Sequence, residues 1–369
     1  MHPPIHLSAI LIGIAIALPA VAATSGAPKA GSGGKSQSVA APYPQSPVIT
    51  GIEWAPADEI IRLGRGSDTW PLTWGDDGHL YTAYGDGWGF EPRVEKKLSL
   101  GLGRVEGNPP EIRGVNIRSE IEQLGAGPRG RKSSGMLMVD GTLYMLLRNA
   151  DRQGRQSQLA WSRDHGKTWT QADWRFDTFG YPTFLNFGQN YAGTPDEFVY
   201  VVSHDNSSAY EPADRFILMR VPKDRIPERN AYEFFVKRDR QDRPVWTRQI
   251  DERGAVFEHP GRCYRSGISY NAGLGRYVWT QIIPSGSTKF TGGQGDVRFE
   301  GGFGVYDAPA PWGPWSTAYF TEKWDVGPGE TSSFPPKWMS KDGKSMWLVF
   351  SGNDDFAVRR ATLELTELK

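Results

Sequence analysis

Five times between residues 77 and 347 a tight turn runs straight into a short strand of aromatic and branched residues. Asp77-Gly78-His79-Leu80-Tyr81 comes first, then Asp140-Gly141-Thr142-Leu143-Tyr144 and Asp196-Glu197-Phe198-Val199-Tyr200. Gly275-Arg276-Tyr277-Val278-Trp279 and Asp342-Gly343-Lys344-Ser345-Met346-Trp347 follow. Asp and Gly accept the left-handed dihedrals of tight turns at low steric cost. Leu, Val, Tyr and Trp suit a pleated strand. A sheet unit that repeats without long helical patterns buries its apolar faces by packing against its own copies. The expectation is an all-β propeller of five blades, with six or seven left open because the matches are loose. A β-sandwich is the alternative, since it also makes many short strands.

The rest of the chain agrees with a strand-and-turn architecture. Gly 44 and Pro 27 supply turns, and Trp 14, Tyr 14 and Phe 17 supply ample core. Lys+Arg 42 balance Asp+Glu 42, which argues against a nucleic-acid partner, because that needs a basic surface. The single cysteine, Cys263, has no partner for an internal disulfide and reads as a small buried hydrophobe. The apolar run Ala9–Leu18, broken by Pro19 and followed by Ala20-Val21-Ala22, reads as a secretory signal over 1–22. The run is shorter than the roughly 20 residues of a membrane span. The expected location is periplasmic or secreted. Residues 23–48, rich in Gly, Ser, Ala and Pro, read as a disordered leader, and 49–369 as a catalytic propeller domain, expected to be monomeric.

Three segments carry a family resemblance. Ser162-Arg163-Asp164-His165-Gly166-Lys167-Thr168-Trp169 fits Ser-x-Asp-x-Gly-x-Thr-Trp, the Asp-box, and resembles sialidase-like propellers. That resemblance implies a hairpin clasp on the face away from the active site, so His165 is read as a turn residue. Trp74–Phe90, with Tyr84-Gly85-Asp86-Gly87, resembles the opening blade of secreted bacterial propellers in the domain-of-unknown-function group that includes arabinan-cleaving enzymes. Tyr200–Tyr210, followed by Ala213-Asp214-Arg215, resembles the same broad set of carbohydrate-active propellers, some of which cleave acidic polysaccharides by β-elimination. The resemblance implies a carbohydrate substrate, and opening-blade acids that point at a central pocket.

Two chemistries fit the residues. Hydrolysis of a glycosidic bond needs a proton donor and a carboxylate on either side of it. Asp68 and Asp86 bracket the first hairpin, whose two ends meet in space, and are the expected catalytic pair. Glu211 is a third acid for which a surface role is favoured. Asp76 and Asp77 read as turn formers. Elimination from a uronate needs a cation on the sugar carboxylate, a base and an acid. His204 and Tyr210 offer acid–base groups, and Tyr264 with Arg265 offers substrate contacts, Arg being suited to a carboxylate. Trp88, between two glycines, is expected to stack on sugar. The glycines at 292–295 lack the strand–loop–helix context of a phosphate loop, which argues against nucleotide. No His/Cys group has metal-ligand spacing, so no cofactor is expected, with a structural calcium left open. Three functions result: a glycoside hydrolase first, a uronate lyase second, and a non-catalytic glycan-binding propeller third.

Overall fold

Each of the five predicted turns joins the first and second strands of one of five sheet units, the third and fourth of which are joined by parallel pairing of Leu185 with Ile268 and Asn186 with Ser269. The chain begins with β1 (Ile49–Trp54) and β2 (Ile61–Leu63). Sheet one holds β3 (Asp68–Trp74), β4 (Leu80–Gly85), β5 (Gly101–Asn108) and β6 (Glu111–Ile117). Sheet two holds β7 (Lys132–Val139), β8 (Thr142–Arg148), β9 (Ser157–Ser162) and β10 (Thr170–Gln171). Sheet three holds β11 (Thr183–Asn186), β12 (Phe198–His204), β13 (Ala213–Pro222), β14 (Glu233–Arg238) and β15 (Pro244–Thr247), with β16 (Phe257–Cys263) paired to β13. Sheet four holds β17 (Ser266–Asn271), β18 (Arg276–Ile283), β19 (Gly302–Ala308) and β20 (Ser316–Thr321). Sheet five holds β21 (Ser332–Ser333), β22 (Ser345–Phe350) and β23 (Phe356–Leu365). This is a computed structural model, and it describes residues 40–286, 288–290 and 294–367 together with Met1.

The first strands of the sheets form a ring. β3 packs on β7, β7 on β11, β11 on β17, β17 on β21 and β21 on β3. Five blades around one axis make a five-bladed β-propeller, as the repeats predict. β1 closes it by pairing antiparallel with β23, from Ile49↔Leu365 to Trp54↔Ala361, so the first and last strands share the fifth blade. This leaves no open end between the first and last blades. A first strand lies between two neighbouring blades, so both of its faces are covered. β7 accordingly reads Lys-Ser-Ser-Gly-Met-Leu-Met-Val and is buried at every position. Farther out, aromatic rings fill the wedge between blades. Trp279 is fully buried against Phe216, Phe257 and Trp315. Cys263 is buried in the same cluster.

The turns explain their glycines. Gly343 has φ 73°, and a Cβ there would lie 2.3 Å from the Asn271 carboxamide oxygen. The 162–169 turn lies between β9 and β10. Asp164 accepts from the Lys167 and Thr168 amides (3.1 and 2.9 Å) and from the Thr168 hydroxyl (2.7 Å), and these bonds hold its carboxyl at about 2. The Trp169 indole donates to the Gly166 carbonyl (3.0 Å).

Ala40–Lys369 forms one compact unit. The expected signal at 1–22 falls outside the described residues except for Met1. One boundary needs correction, because the last residues of the expected leader lie on the propeller. The Thr317 hydroxyl donates to the Tyr43 carbonyl (2.8 Å), the Glu258 amide donates to the Tyr43 hydroxyl (2.9 Å), and Gln45 bridges to Thr317. Tyr43 also packs its ring on Phe257 at 4.8 Å, an apolar contact that composition hides. Among the described residues no helix is long and apolar enough to cross a membrane.

Candidate active site

In an antiparallel pair the start of one strand faces the end of the other. Asp68 pairs with Gly85, and Lys132 with Arg148. The first residue of each inner strand and the last of each second strand therefore gather at one end of the propeller. Arg265, just before β17, and Glu330, two residues before β21, arrive at the same end. A cavity of about 450 Å³ opens there, lined among others by Asp86, Lys132, Tyr210, Arg265, Arg298 and Glu330.

The first blade supplies two carboxylates in unlike settings. Asp86 follows β4 with φ 39°. Its Oδ2 accepts the Gly127 amide (2.9 Å), and its Oδ1 pairs with the buried Lys132 ammonium. Asp68 is 5% exposed and accepts the Thr69 hydroxyl (2.9 Å). Its carboxyl is pushed up to about 7, first by burial and then by the nearby Glu330 charge, with Lys132 opposing. A Cβ on Gly85 would stand 2.6 Å from Asp68 Oδ1 and 3.2 Å from Lys132 Cδ, so only glycine leaves room for this packing. The next two residues, Thr69 and Trp70, have φ of 79° and 82° at a register break in β3. Such dihedrals cost non-glycine residues energy and concentrate at functional sites.

Opposite, buried charge is concentrated around Glu330. Its Oε2 lies 2.5 Å from Arg148 Nη2 and 2.9 Å from Arg265 Nη1, and its Oε1 is 3.6 Å from Arg298 Nη1. Burial alone would raise the Glu330 carboxyl, but Arg265, Arg148 and Arg298 together hold it well below the usual carboxylate range. Tyr210 stands between Arg148 and Arg265, with each guanidinium carbon within 5.4 Å of its ring centre. Its oxygen accepts from Arg148 Nη1 (3.0 Å) and Asn149 Nδ2 (2.9 Å). Arg265 donates twice to the Ala209 carbonyl (3.2 and 3.0 Å) and lies over the Tyr264 ring at 4.8 Å. Burial pushes the Tyr264 hydroxyl up to about 12, against the pull of Arg265.

Of the expected site residues, Asp86, Tyr210, Tyr264 and Arg265 line the cavity, whereas Asp68 is buried against Gly85 and does not line it, though it is near enough for the Asp86 charge to act on it. Glu211 also lines it, on an exposed rim position. Two expectations are corrected. His204 is fully buried, with its Nε2 2.8 Å from the Ser208 carbonyl, and burial lowers its pKa to about 4. It is a neutral structural donor behind Ser208 and does not line the cavity. Trp88 lies outside the cavity lining, half-buried beside Gly66, with Lys97 and Arg93 over its ring at 5.4 and 5.7 Å. Among the described residues no group of three or more His, Cys, Asp or Glu could hold a metal ion.

Sequence reasoning missed Lys132, Arg148, Arg298 and Glu330. A signal existed for two of them. Arg148 ends an otherwise apolar strand, Leu143-Tyr144-Met145-Leu146-Leu147, and Lys132 starts a wholly buried one. A charge at such a position needs a buried partner. Glu330, in Gly327-Pro328-Gly329-Glu330, carries no local signal.

Residues 133–358, more than half of the chain, match the family model described as a domain of unknown function, DUF4185. Arg148, Tyr210, Arg265 and Glu330 fall inside the match, and Asp68 and Asp86 precede it. No curated protein matches the sequence. Among solved structures the chain is similar to the RS223 β-xylosidase, at TM-score 0.46 and 12% identity over 85% of this chain and 99% of that one. It is similar to a GH43_1 enzyme from Xanthomonas citri, at 0.42 and 11% over 85% and 93%. It is also similar to the catalytic domain of the GH62 α-L-arabinofuranosidase of Coprinopsis cinerea, at 0.43 and 10% over 86% and 95%. Likeness at this level carries no argument about the reaction.

Proposed function

The chain belongs to the DUF4185 family, and from its pocket we propose that it is a glycoside hydrolase using Asp68 and Asp86. One observation carries this reading. Two carboxyls from the ends of one hairpin stand in unlike settings, Asp68 buried with its carboxyl raised and Asp86 at the cavity in an ion pair with Lys132. Asp68, raised to about 7, holds a proton to give to the leaving glycosidic oxygen. Asp86, fixed by Lys132 and the Gly127 amide, is the carboxylate that acts at the anomeric carbon, on water or directly. Tyr210, Tyr264 and Arg265 line the pocket and orient the sugar. The apolar run Ala9–Leu18 supports export, so the enzyme would meet a poly- or oligosaccharide in the periplasm or outside the cell, as a monomer without cofactor.

A uronate lyase is the second reading, favoured by Tyr210. Two donors converge on its oxygen and fix it at the pocket, where an elimination needs a group to take the proton α to a sugar carboxylate. His204, the other base considered, is withdrawn by its burial. One screen separates the two readings. The full chain is incubated with neutral and uronate-containing polysaccharides, and new reducing ends are read together with ultraviolet absorbance. Reducing ends without absorbance, lost in Asp68→Asn and Asp86→Asn, establish hydrolysis. Absorbance rising with the reducing ends, lost in Tyr210→Phe, establishes elimination and overturns the hydrolase reading. Retained ligand with no product would mark a binding module.

A further inference from the structure

Resting on the reading of this pocket as a glycan site, we infer that its Arg265–Arg298 side is a subsite for an anionic substituent, a carboxylate or sulfate ester on the bound sugar. The first ground is charge. Among the described residues lining the cavity, four cations (Lys132, Arg155, Arg265 and Arg298) stand against three carboxylates (Asp86, Glu211 and Glu330). Asp86 is engaged by Lys132. Glu330 alone sits in ion-pair range of both Arg148 and Arg265, whose side chains are 0% and 1% exposed. Two buried guanidinium charges thus share one carboxylate, and Asp68 does not supply the second while it holds its proton.

The second ground is donor capacity. Arg265 lines the cavity, yet its buried Nη1, although 2.9 Å from Glu330, makes no hydrogen bond. An unmet buried donor is costly, and an arriving anion would relieve that cost with charge-assisted bonds. Arg298 stands at the same wall from the short helix α1 (Val297–Glu300), with 23% of its side chain exposed, its Nε and Nη2 on the Asp296 carboxylate (3.0 and 3.2 Å) and its Nη1 3.6 Å from Glu330. It can therefore reach both Glu330 and a ligand. Arg155, on an exposed rim position, donates from its Nη1 to the Ser207 hydroxyl (3.3 Å). The third ground is shape. Tyr264 and Phe290, edge to face at 5.1 Å, form an aromatic wall beside these cations. A ring face against that wall with a charged group toward the arginines fits a sugar that carries an acid.

The test is calorimetric binding to the full chain, which needs no turnover. The probes are D-glucuronate, its uncharged methyl ester, and D-glucose 6-sulfate. The acid is expected to bind about tenfold or more tightly than the ester. That preference should disappear in Arg298→Gln and return in part in Arg298→Lys, with unchanged melting temperatures as the fold control. Arg155→Gln, on the rim, should weaken the preference by a smaller factor. A tighter complex with the 6-sulfate than with glucuronate would assign the subsite to sulfate esters. Equal affinity for acid and ester, no binding by either anion, or a preference that survives Arg298→Gln would overturn the subsite. Failure of the hydrolase reading looks different, because Asp86→Asn would then keep its turnover whatever the anion preference.

Discussion

The β3–β4 hairpin carries two aspartates at each end, and the two ends treat them in opposite ways. At the turn, Asp77 accepts the His79 amide (3.1 Å) and the Tyr81 hydroxyl (2.7 Å). Although partial burial raises its carboxyl, these bonds win and lower it. Asp76 lies 2.8 Å from the exposed His165 imidazole. At the rim, Asp68 is buried beside another carboxylate and is pushed up to about 7, and Asp86 leans on a buried lysine. The turn acids are satisfied by groups within a few residues or at the surface. The rim acids are set by β7 and by residues just before β21, far away in sequence. Local partners make a carboxylate structural, whereas a distant and crowded charge set makes it chemically poised.

The largest effect should come from exchanging the two ends. Asp68→Asn and Asp86→Asn are each expected to lower kcat by about 10²- to 10⁴-fold on a cleaved glycan. Asp76→Asn and Asp77→Asn should leave kcat within about twofold, since a surface change of about 0.5 kcal/mol alters a rate constant no more than that. Equal losses at both ends would erase the comparison. Next in size, Glu330→Gln strands Arg148 and Arg265 without a counter-charge. It should cost about 3–5 kcal/mol in urea unfolding, the penalty for breaking a buried pair.

The third prediction concerns pH. The folded pKa of Asp68, about 7, lies above the ordinary value of 3.8, so between these limits the folded protein binds more protons than the unfolded chain. The stability contributed by this group is complete below about pH 4 and is lost as pH rises through 7. Relative to wild type, Asp68→Asn should therefore gain stability as pH rises from 4 to 8, read from urea midpoints. A constant difference would show that Asp68 is not raised. The smallest effect belongs to the turn. Asp77→Ala removes two hydrogen bonds in a partly exposed setting and should cost about 1 kcal/mol, read as a lower melting temperature with unchanged kcat.

The blades were legible because their signals are local. A turn needs residues that accept left-handed dihedrals, and a strand needs apolar or branched side chains, so each Asp-Gly-strand unit announces a hairpin wherever it falls. Five such units became five blades. The rim pair Asp68 and Asp86 was legible for the same reason, since antiparallel pairing brings the two ends of one hairpin together. Tyr210 and Arg265 were found as residue types near strand ends, but their shared partner was not. His204 resembled them in sequence, but its ring is held on the Ser208 carbonyl and does not line the cavity, a placement the neighbouring blades determine. Trp88 was misplaced because a flanking pair of glycines suggests an open loop, while Lys97 and Arg93 fold over the ring.

The amino-acid sequence was enough for the turns, the hairpins and a preference for five blades, because backbone dihedrals and nearest-neighbour side chains set these over a few residues. Only the tertiary structure decided which charges meet. Arg148 of the second blade and Arg265 and Arg298 of the fourth converge on Glu330, just before the fifth, across separations of up to 182 residues. Coulombic and desolvation energies depend on distance and burial, and neither can be read from position along the chain.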